Sequence, residues 1–524
     1  MHIATFPAIR FCGKVIFLRK KASILQQALL LTGVNLSLRG VTMLFQIWLS
    51  GRIGASGLGL LQLIVSISSF AFTLGLAGVR VAAMYLCAEE HGLGRSAGVR
   101  QAVIVCLRYA FAASVIVGTV LFFGADFAAR RFAGDVQAAA SLRLQAVFLP
   151  AGCAGAVLSG YFTACGQVRK LAAVHVFERI LSLLLTAALL VFFAGSDAER
   201  CCAAVTLGSV LSDLAGTLFL LLLFLRSQPR QPSAEPGRQM LGRVFRLSVP
   251  LALSEYLRAG LSTLEQFLIP WGLARSGSTY EASMAAYGTI GAMVFPVLMF
   301  PASVFYALSD LLVPELARCR AQNRTGRIRS LTGTCLRMGL LFSGAIAGLM
   351  FVLAEPLGVL LYKSEQAGAY LRVFSPMVLC LYMDAMTDGM LKGLGQQVAS
   401  VRYNTLTSFL DVLLLFTLLP KLGIRAYLLS FCLTHLLNFA LSIRRLIEVT
   451  DYTPQLPHVL AVLFCTVVSC AGCFSFPAGA HLPTLVLRLA VFSLLFCLLI
   501  TCCGALTRKD TALLRRSLRP AQGD

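Results

Sequence analysis

Apolar stretches long enough to cross a bilayer recur from one end of this chain to the other, and no other feature limits its fold as much. A transmembrane helix needs roughly 20 consecutive apolar residues. Inside a bilayer every backbone N–H and C=O must be satisfied locally, so such runs become helices. Composition agrees: 58% of the 524 residues are hydrophobic and only 13% are charged. A soluble domain carries roughly a quarter charged residues. The expected class is an all-α polytopic membrane protein, with no stretch left for a large soluble domain.

Apolar runs between charged or turn-rich breaks predict about fourteen spans. They are 28–49, 58–86, 101–123, 144–163, 171–194 and 202–225 in the first half. Then come 244–270, 284–312, 331–354, 369–391, 403–420 and 424–443, and finally 457–476 and 484–504. Lys and Arg fall in alternate loops, which predicts both termini in the cytoplasm. One such loop holds Arg226, Arg230, Arg238, Arg243 and Arg246, and another holds Arg318, Arg320, Arg324, Arg327 and Arg329. The net charge of +22 therefore reads as loops held against anionic lipid, not as a nucleic-acid surface. Residues 1–27 read as a cytoplasmic basic segment, without the apolar core and cleavage site of a signal peptide.

The Pro-, Gln- and Arg-rich stretch 226–243 is the one clear linker, and related sequence lies on either side of it. SGYFTACGQ (159–167) and DGMLKGLGQ (388–396) share Gly and Gln spacing at an offset of about 229, as do Gly59 and Gly288. SLRG (37–40) and YLRAG (256–260) match at an offset of about 219, which pairs Arg39 with Arg258 and Gln46 with Glu265. Each half holds six spans, so the halves are expected to be parallel repeats related by a pseudo-two-fold axis along the membrane normal. The expected organisation is a six-helix lobe at 28–225, a second at 244–443, two additional helices at 444–504 and a basic tail at 505–524. Such an architecture places a substrate site between the lobes near the midplane.

Charged residues at bilayer depth are costly and mark function by default. Glu255, Arg258, Ser262 and Glu265 share one helix face, as do Asn35, Arg39, Thr42 and Gln46. Two equivalent helices thus carry an arginine-centred stripe, and we take Arg39, Arg258, Asn35, Gln46, Glu255 and Glu265 as candidate cavity residues. Arginine suits phosphate, because its planar fork donates parallel hydrogen bonds. A purely structural alternative pairs Glu255 with Arg258 within one helix; it leaves Arg39 unexplained. Asp384 and Asp388, spaced i,i+4, either bind a coupling cation or proton or pair with Arg372 or Lys392. Most other intramembrane charges read as anchors near span ends: Arg80, Arg108, Arg143, Glu178, Arg179, Asp213, Asp310, Arg337, Asp411 and Arg488. Pro250, Pro270, Pro296, Pro301 and Pro314 would kink the seventh and eighth spans, either for gating or as static curvature.

Several chemistries lack their signatures. There is no GxxxxGK[ST] phosphate loop, no HExxH and no GxSxG. The 17 cysteines lie mostly within spans, and the one CxxC, Cys470 and Cys473, reads as packing. No cofactor or metal is expected, and no enzymatic activity.

RIGASGLGLLQLIVSISSFAFTLGLAGVRVAAMYLCAEEHG (52–92) resembles the stage V sporulation protein B group of bacterial flippases. So do residues 255–317, the most specific stretch, and 391–427. That group lies in the multidrug/oligosaccharidyl-lipid/polysaccharide exporter superfamily. The resemblance implies two six-helix bundles that open alternately to either side. It also implies a polyprenyl-pyrophosphate-linked sugar as cargo, met by cavity arginines including some on the first helix, where Arg39 stands. Val79 and Arg80 replace the proline that relatives often carry after the glycine at 78. The expected function is therefore a flippase in the bacterial plasma membrane for a lipid-linked oligosaccharide or peptidoglycan precursor. Its expected partners are that anionic lipid-linked saccharide, the bilayer and cell-wall synthesis proteins, with no nucleic acid. The rivals are a cation-coupled drug exporter of the same superfamily and a non-transporting scaffold for cell-wall synthesis.

Overall fold

The computed structural model describes residues 8–76, 78–130, 138–192, 198–227, 237–476, 479 and 481–504. For 8–36 and a few other helical positions (168, 198–199, 237–238, 251, 307 and 309–311) it describes the backbone alone. The basic tail, most of the linker and the Asn35 and Asp310 side chains thus lie outside the described residues. The described regular structure is helical throughout. The first half contains α1 (Ala8–Leu76), α2 (Val79–Gly92), α3 (Ser96–Ala128), α4 (Ala138–Ala164), α5 (Val168–Phe192) and α6 (Ala198–Ser227). The second contains α7 (Gly237–Arg275), α8 (Tyr280–Gly288), α9 (Phe295–Met299), α10 (Ser303–Ala321), α11 (Thr325–Tyr362) and α12 (Glu365–Phe374). It continues with α13 (Met377–Gly393), α14 (Gln397–Leu422) and α15 (Ile424–Thr450), and α16 (Leu456–Phe474) and α17 (Leu482–Cys502) follow.

Eleven described helices are long and apolar enough to cross a membrane, against the fourteen runs read from sequence. The difference has physical causes. The first two predicted spans form one helix, α1, broken at Gly54, whose φ of 70° and ψ of 178° lie outside helical space. The second span resumes as α2 after Gly78, at φ 70°. The seventh, α7, falls short in apolarity because it carries the charged stripe. The tenth is divided at Ser375–Pro376 into α12 and α13. The eighth is interrupted too: α8 passes through a π-helical stretch at 289–294 into α9, and a turn at 300–302 precedes α10. Pro296 and Pro301 supply no N–H there, so the ladder cannot run on unbroken.

The repeat is visible in the backbone. Gly94 and Asn323, at φ 72° and 51°, occupy matching left-handed turns before α3 and α11. Gly166 and Gly395, at φ 69° and 67°, do the same before α5 and α14. The mates Gly59 and Gly288 pack on one another where α1 meets α8. A Cβ on Gly288 would strike the Ala55 carbonyl and the Gly59 backbone, and one on Gly59 would strike the Met284 carbonyl. Small residues there let two backbones touch across the pseudo-axis.

Packing does not divide where the chain does. Met240 and Val244, at the start of α7, belong to the first lobe's core with Leu86, Cys106 and Phe162. Ile269 and Leu273, at its end, join the large core formed mainly by the second lobe, which also takes in Leu63 and Leu142 of the first, and Trp271 stacks on Phe416 of α14 at 5.6 Å. Helix α7 therefore straps the lobes together. Arg243 tightens this strap, reaching Glu89 at 2.7 Å and Glu90 at 3.0 Å at the end of α2. Helices α16 and α17 lie against α11, where Gly344 and Gly348 face Val462 and Phe492. Arg488 of α17 is buried, with its guanidinium 3.5 Å from the Val352 and Phe476 carbonyls.

Candidate functional site

Arg39 stands on α1 with its side chain exposed, and its guanidinium lies 5.2 Å from the centre of the Tyr306 ring on α10. That contact joins the lobes, because α10 belongs to the second repeat. Arg39 also lines a cavity of about 630 Å³ within the first lobe. The other walls come from Thr42 of α1, from His175, Glu178, Arg179 and Ser182 of α5, and from Ser209, Ser212 and Asp213 of α6.

The close approach of α5 and α6 follows from two glycines. A Cβ on Gly208 would press on Thr186, and one on Gly216 would come within 2.9 Å of the Glu178 carboxylate. That approach brings Glu178 and Asp213 within hydrogen-bonding reach, with Arg179 close enough to act on Asp213. His175 Nδ1 lies 3.4 Å from Glu178. Asp213 also lines a second cavity of about 300 Å³ with Ser68, Ser69 and Gln145. The cavity lining thus mixes cations, Arg39 and Arg179, with carboxyls and hydroxyls.

Arg258 of α7 is exposed and, among the described residues, makes no ion pair. The Glu255–Arg258 pair that would neutralise the stripe is not formed, and Glu255 and Gln46 are half-buried. The neighbouring face of α7 is held by Tyr256, whose hydroxyl donates to the Leu74 carbonyl at 3.0 Å. Glu265 turns towards Asp411 of α14, within hydrogen-bonding reach. Asp411 is buried and accepts from Ser430 at 2.5 Å and Thr434 at 3.3 Å, both on α15. Next to Glu265, Gln266 accepts from the Tyr287 hydroxyl at 3.2 Å.

The two aspartates of α13 separate in environment. Asp388 pairs with Lys392 at 2.6 Å and accepts from Ser400. Asp384 accepts from Asn438 at 2.9 Å, and Asn438 also reaches Asn404 at 3.0 Å. Arg372 is occupied by Glu355 at 3.1 Å.

The structure brings Arg39 to the cavity and leaves Arg258 uncommitted, while it draws Glu265 into a carboxyl pair. The sequence marks Glu178, Asp213 and Asp411 only as anchors. Their partners lie on other helices, so spacing along one helix carries no signal of them. The repeat carries a faint one: at an offset of about 229, Glu178 and Ser182 align with Thr407 and Asp411.

The MatE family model matches residues 32–196 and 266–417. Stage V sporulation protein B of Bacillus subtilis (strain 168) is 24% identical over 413 residues, covering 77% of this chain and 80% of that protein. Among solved structures, the lipid II flippase MurJ in an inward closed conformation superposes with a TM-score of 0.71 at 9% identity. It covers 94% of this chain and 100% of that one. An inward-facing multidrug resistance MATE family transporter of the MOP superfamily gives 0.63 at 14% identity, over 80% and 96%. At these identities the structural likeness is one of fold.

Proposed function

Because the chain belongs to the MatE family, a family of membrane transporters, we propose that it flips a polyprenyl-pyrophosphate-linked oligosaccharide or peptidoglycan precursor. Translocation runs from the inner to the outer leaflet of the bacterial plasma membrane by alternating access, with both termini cytoplasmic. The observation that carries this reading is Arg39, exposed on a cavity and stacked on a ring of the opposite lobe. A pyrophosphate cannot enter hydrocarbon without a large desolvation cost. Guanidinium donors replace its hydration, while the prenyl tail stays in lipid. No covalent bond changes, so transport needs no catalytic residue. The similarity to a stage V sporulation protein B agrees with the group resemblance that implied this cargo.

We assign coupling to Glu265 and Asp411 in preference to Asp384 and Asp388. Asp388 already has Lys392 as its counter-charge. Two carboxyls facing each other in a low-dielectric interior cannot both ionise unless a cation sits between them. Binding and release of a proton or metal cation there would bias the packing of α7 on α14.

The decisive experiment reconstitutes the protein in liposomes with lipid-linked saccharide and scores headgroup accessibility on each leaflet. Arg39→Ala with Arg258→Ala is expected to abolish flipping while the protein still inserts. Full flipping by the double variant would overturn the reading. The Glu178–Asp213 pair favours one alternative, export of organic cations, and efflux of a lipophilic cation without flipping would establish it.

A further inference from the structure

A site for pyrophosphate alone would be cationic all round. The cavity beside Arg39 is not: Glu178 and Asp213 face it from α5 and α6, with His175 and Arg179 beside them. Even with one proton shared between them, two carboxyls keep a negative charge and several free acceptor lone pairs, and that charge repels a phosphate at close range. These carboxyls therefore suit a group rich in O–H or N–H donors.

A serine points the same way. Ser209 Oγ donates to the Thr206 carbonyl at 2.9 Å, and Ser212 Oγ donates to the Ser209 carbonyl at 2.6 Å. With its proton spent on its own helix, the half-buried Ser209 oxygen offers a lone pair to an incoming donor, while Ser212 is fully buried. Size agrees, since about 630 Å³ falls within the ~300–1,000 Å³ of small-molecule sites. A pyrophosphate alone would leave much of it empty.

We infer that this first-lobe cavity is a saccharide subsite, with Glu178 and Asp213 as its specificity-determining residues. This inference rests on the flippase reading. The first sugars of the headgroup give their hydroxyl and amide protons to the two carboxyls and to the Ser209 oxygen. Arg39 lies at the boundary between the sugar and the pyrophosphate. Gly216 positions the arrangement by leaving room for the Glu178 carboxylate.

The test measures binding by native mass spectrometry of the full chain in nanodiscs. The probes are undecaprenyl-pyrophosphoryl disaccharide, bare undecaprenyl pyrophosphate and tetraphenylphosphonium. Wild type is expected to bind the glycosylated lipid about tenfold more tightly than the bare one. Glu178→Gln with Asp213→Asn should erase most of that preference while affinity for the bare lipid holds or rises. Arg39→Ala should weaken both lipids alike. Should the double variant fail to fold, Ser209→Ala is expected to narrow the preference about threefold. Equal wild-type affinities for the two lipids, or a preference that survives loss of both carboxyls, would overturn the saccharide subsite and leave the flippase reading standing. Binding of the cation with neither lipid retained would overturn both.

Discussion

The two lobes share a scaffold but place their acids one helical turn apart. On α5 the carboxyl is at Glu178 and a serine follows at Ser182; at the matching places on α14 stand Thr407 and then Asp411. On the partner helices, Gln46 of α1 matches Glu265 of α7. In the first lobe the acid therefore meets Asp213 on an open cavity beside Arg39. In the second, Asp411 is buried against Glu265 and tied by Ser430 and Thr434, while Thr407 turns its hydroxyl back to the Tyr403 carbonyl at 3.0 Å. A duplicated frame with three changed pairs of side chains thus carries an acid pair on an open cavity on one side and a buried acid pair on the other. Backbone symmetry and chemical symmetry are separate properties here.

The largest effect is expected where the lobes remain alike. Gly59 and Gly288 press on each other's backbones, so a larger residue at either forces α1 and α8 apart. Gly59→Val and Gly288→Val should each cost about 3 kcal/mol or more, read as a matching fall in the yield of monodisperse protein. If one tolerates valine and the other does not, the axis is not shared as described.

Next in size is the difference between Asp411 and its mate. Asp411→Asn should cut coupled flipping about a hundredfold while lipid-linked pyrophosphate still binds, since buried carboxyls matched to a proton or cation are hard to replace. Ser182→Ala should lower transport only about threefold. Comparable losses at both positions, measured by leaflet accessibility in liposomes, would dissolve the proposed division of labour.

Much of this frame was legible in the sequence, because its causes are local and repetitive. Apolar run length gives the helices, and the Gly-Gly-Gln spacing the duplication, down to the left-handed turns at Gly166 and Gly395. Arg39 was legible as a charge with no acid on its own helix. The carboxyl pairs were not, because Glu178 meets Asp213, and Glu265 meets Asp411, only through tertiary contact. Nor could spacing reveal that α7 divides its packing between the lobes, since Met240 and Leu273 look alike as apolar residues. The interruption of the eighth span was half visible: prolines marked it, but the π-helical stretch at 289–294 has no compositional sign.

The smallest expected effect bears on the arginines themselves. Arg39 lies over Tyr306 of the other lobe; among the described residues Arg258 stacks on no ring. A cation over an aromatic face gains about 0.5–2 kcal/mol, so Tyr306 would hold Arg39 in place before cargo arrives. Tyr306→Leu should then weaken binding of bare undecaprenyl pyrophosphate about fivefold, about 1 kcal/mol, and Tyr306→Phe should leave it nearly unchanged because the ring persists. The effect must vanish in an Arg39→Ala background and survive in an Arg258→Ala one. If it survives in both, Tyr306 acts on the packing of α10 and the lobes present their arginines alike.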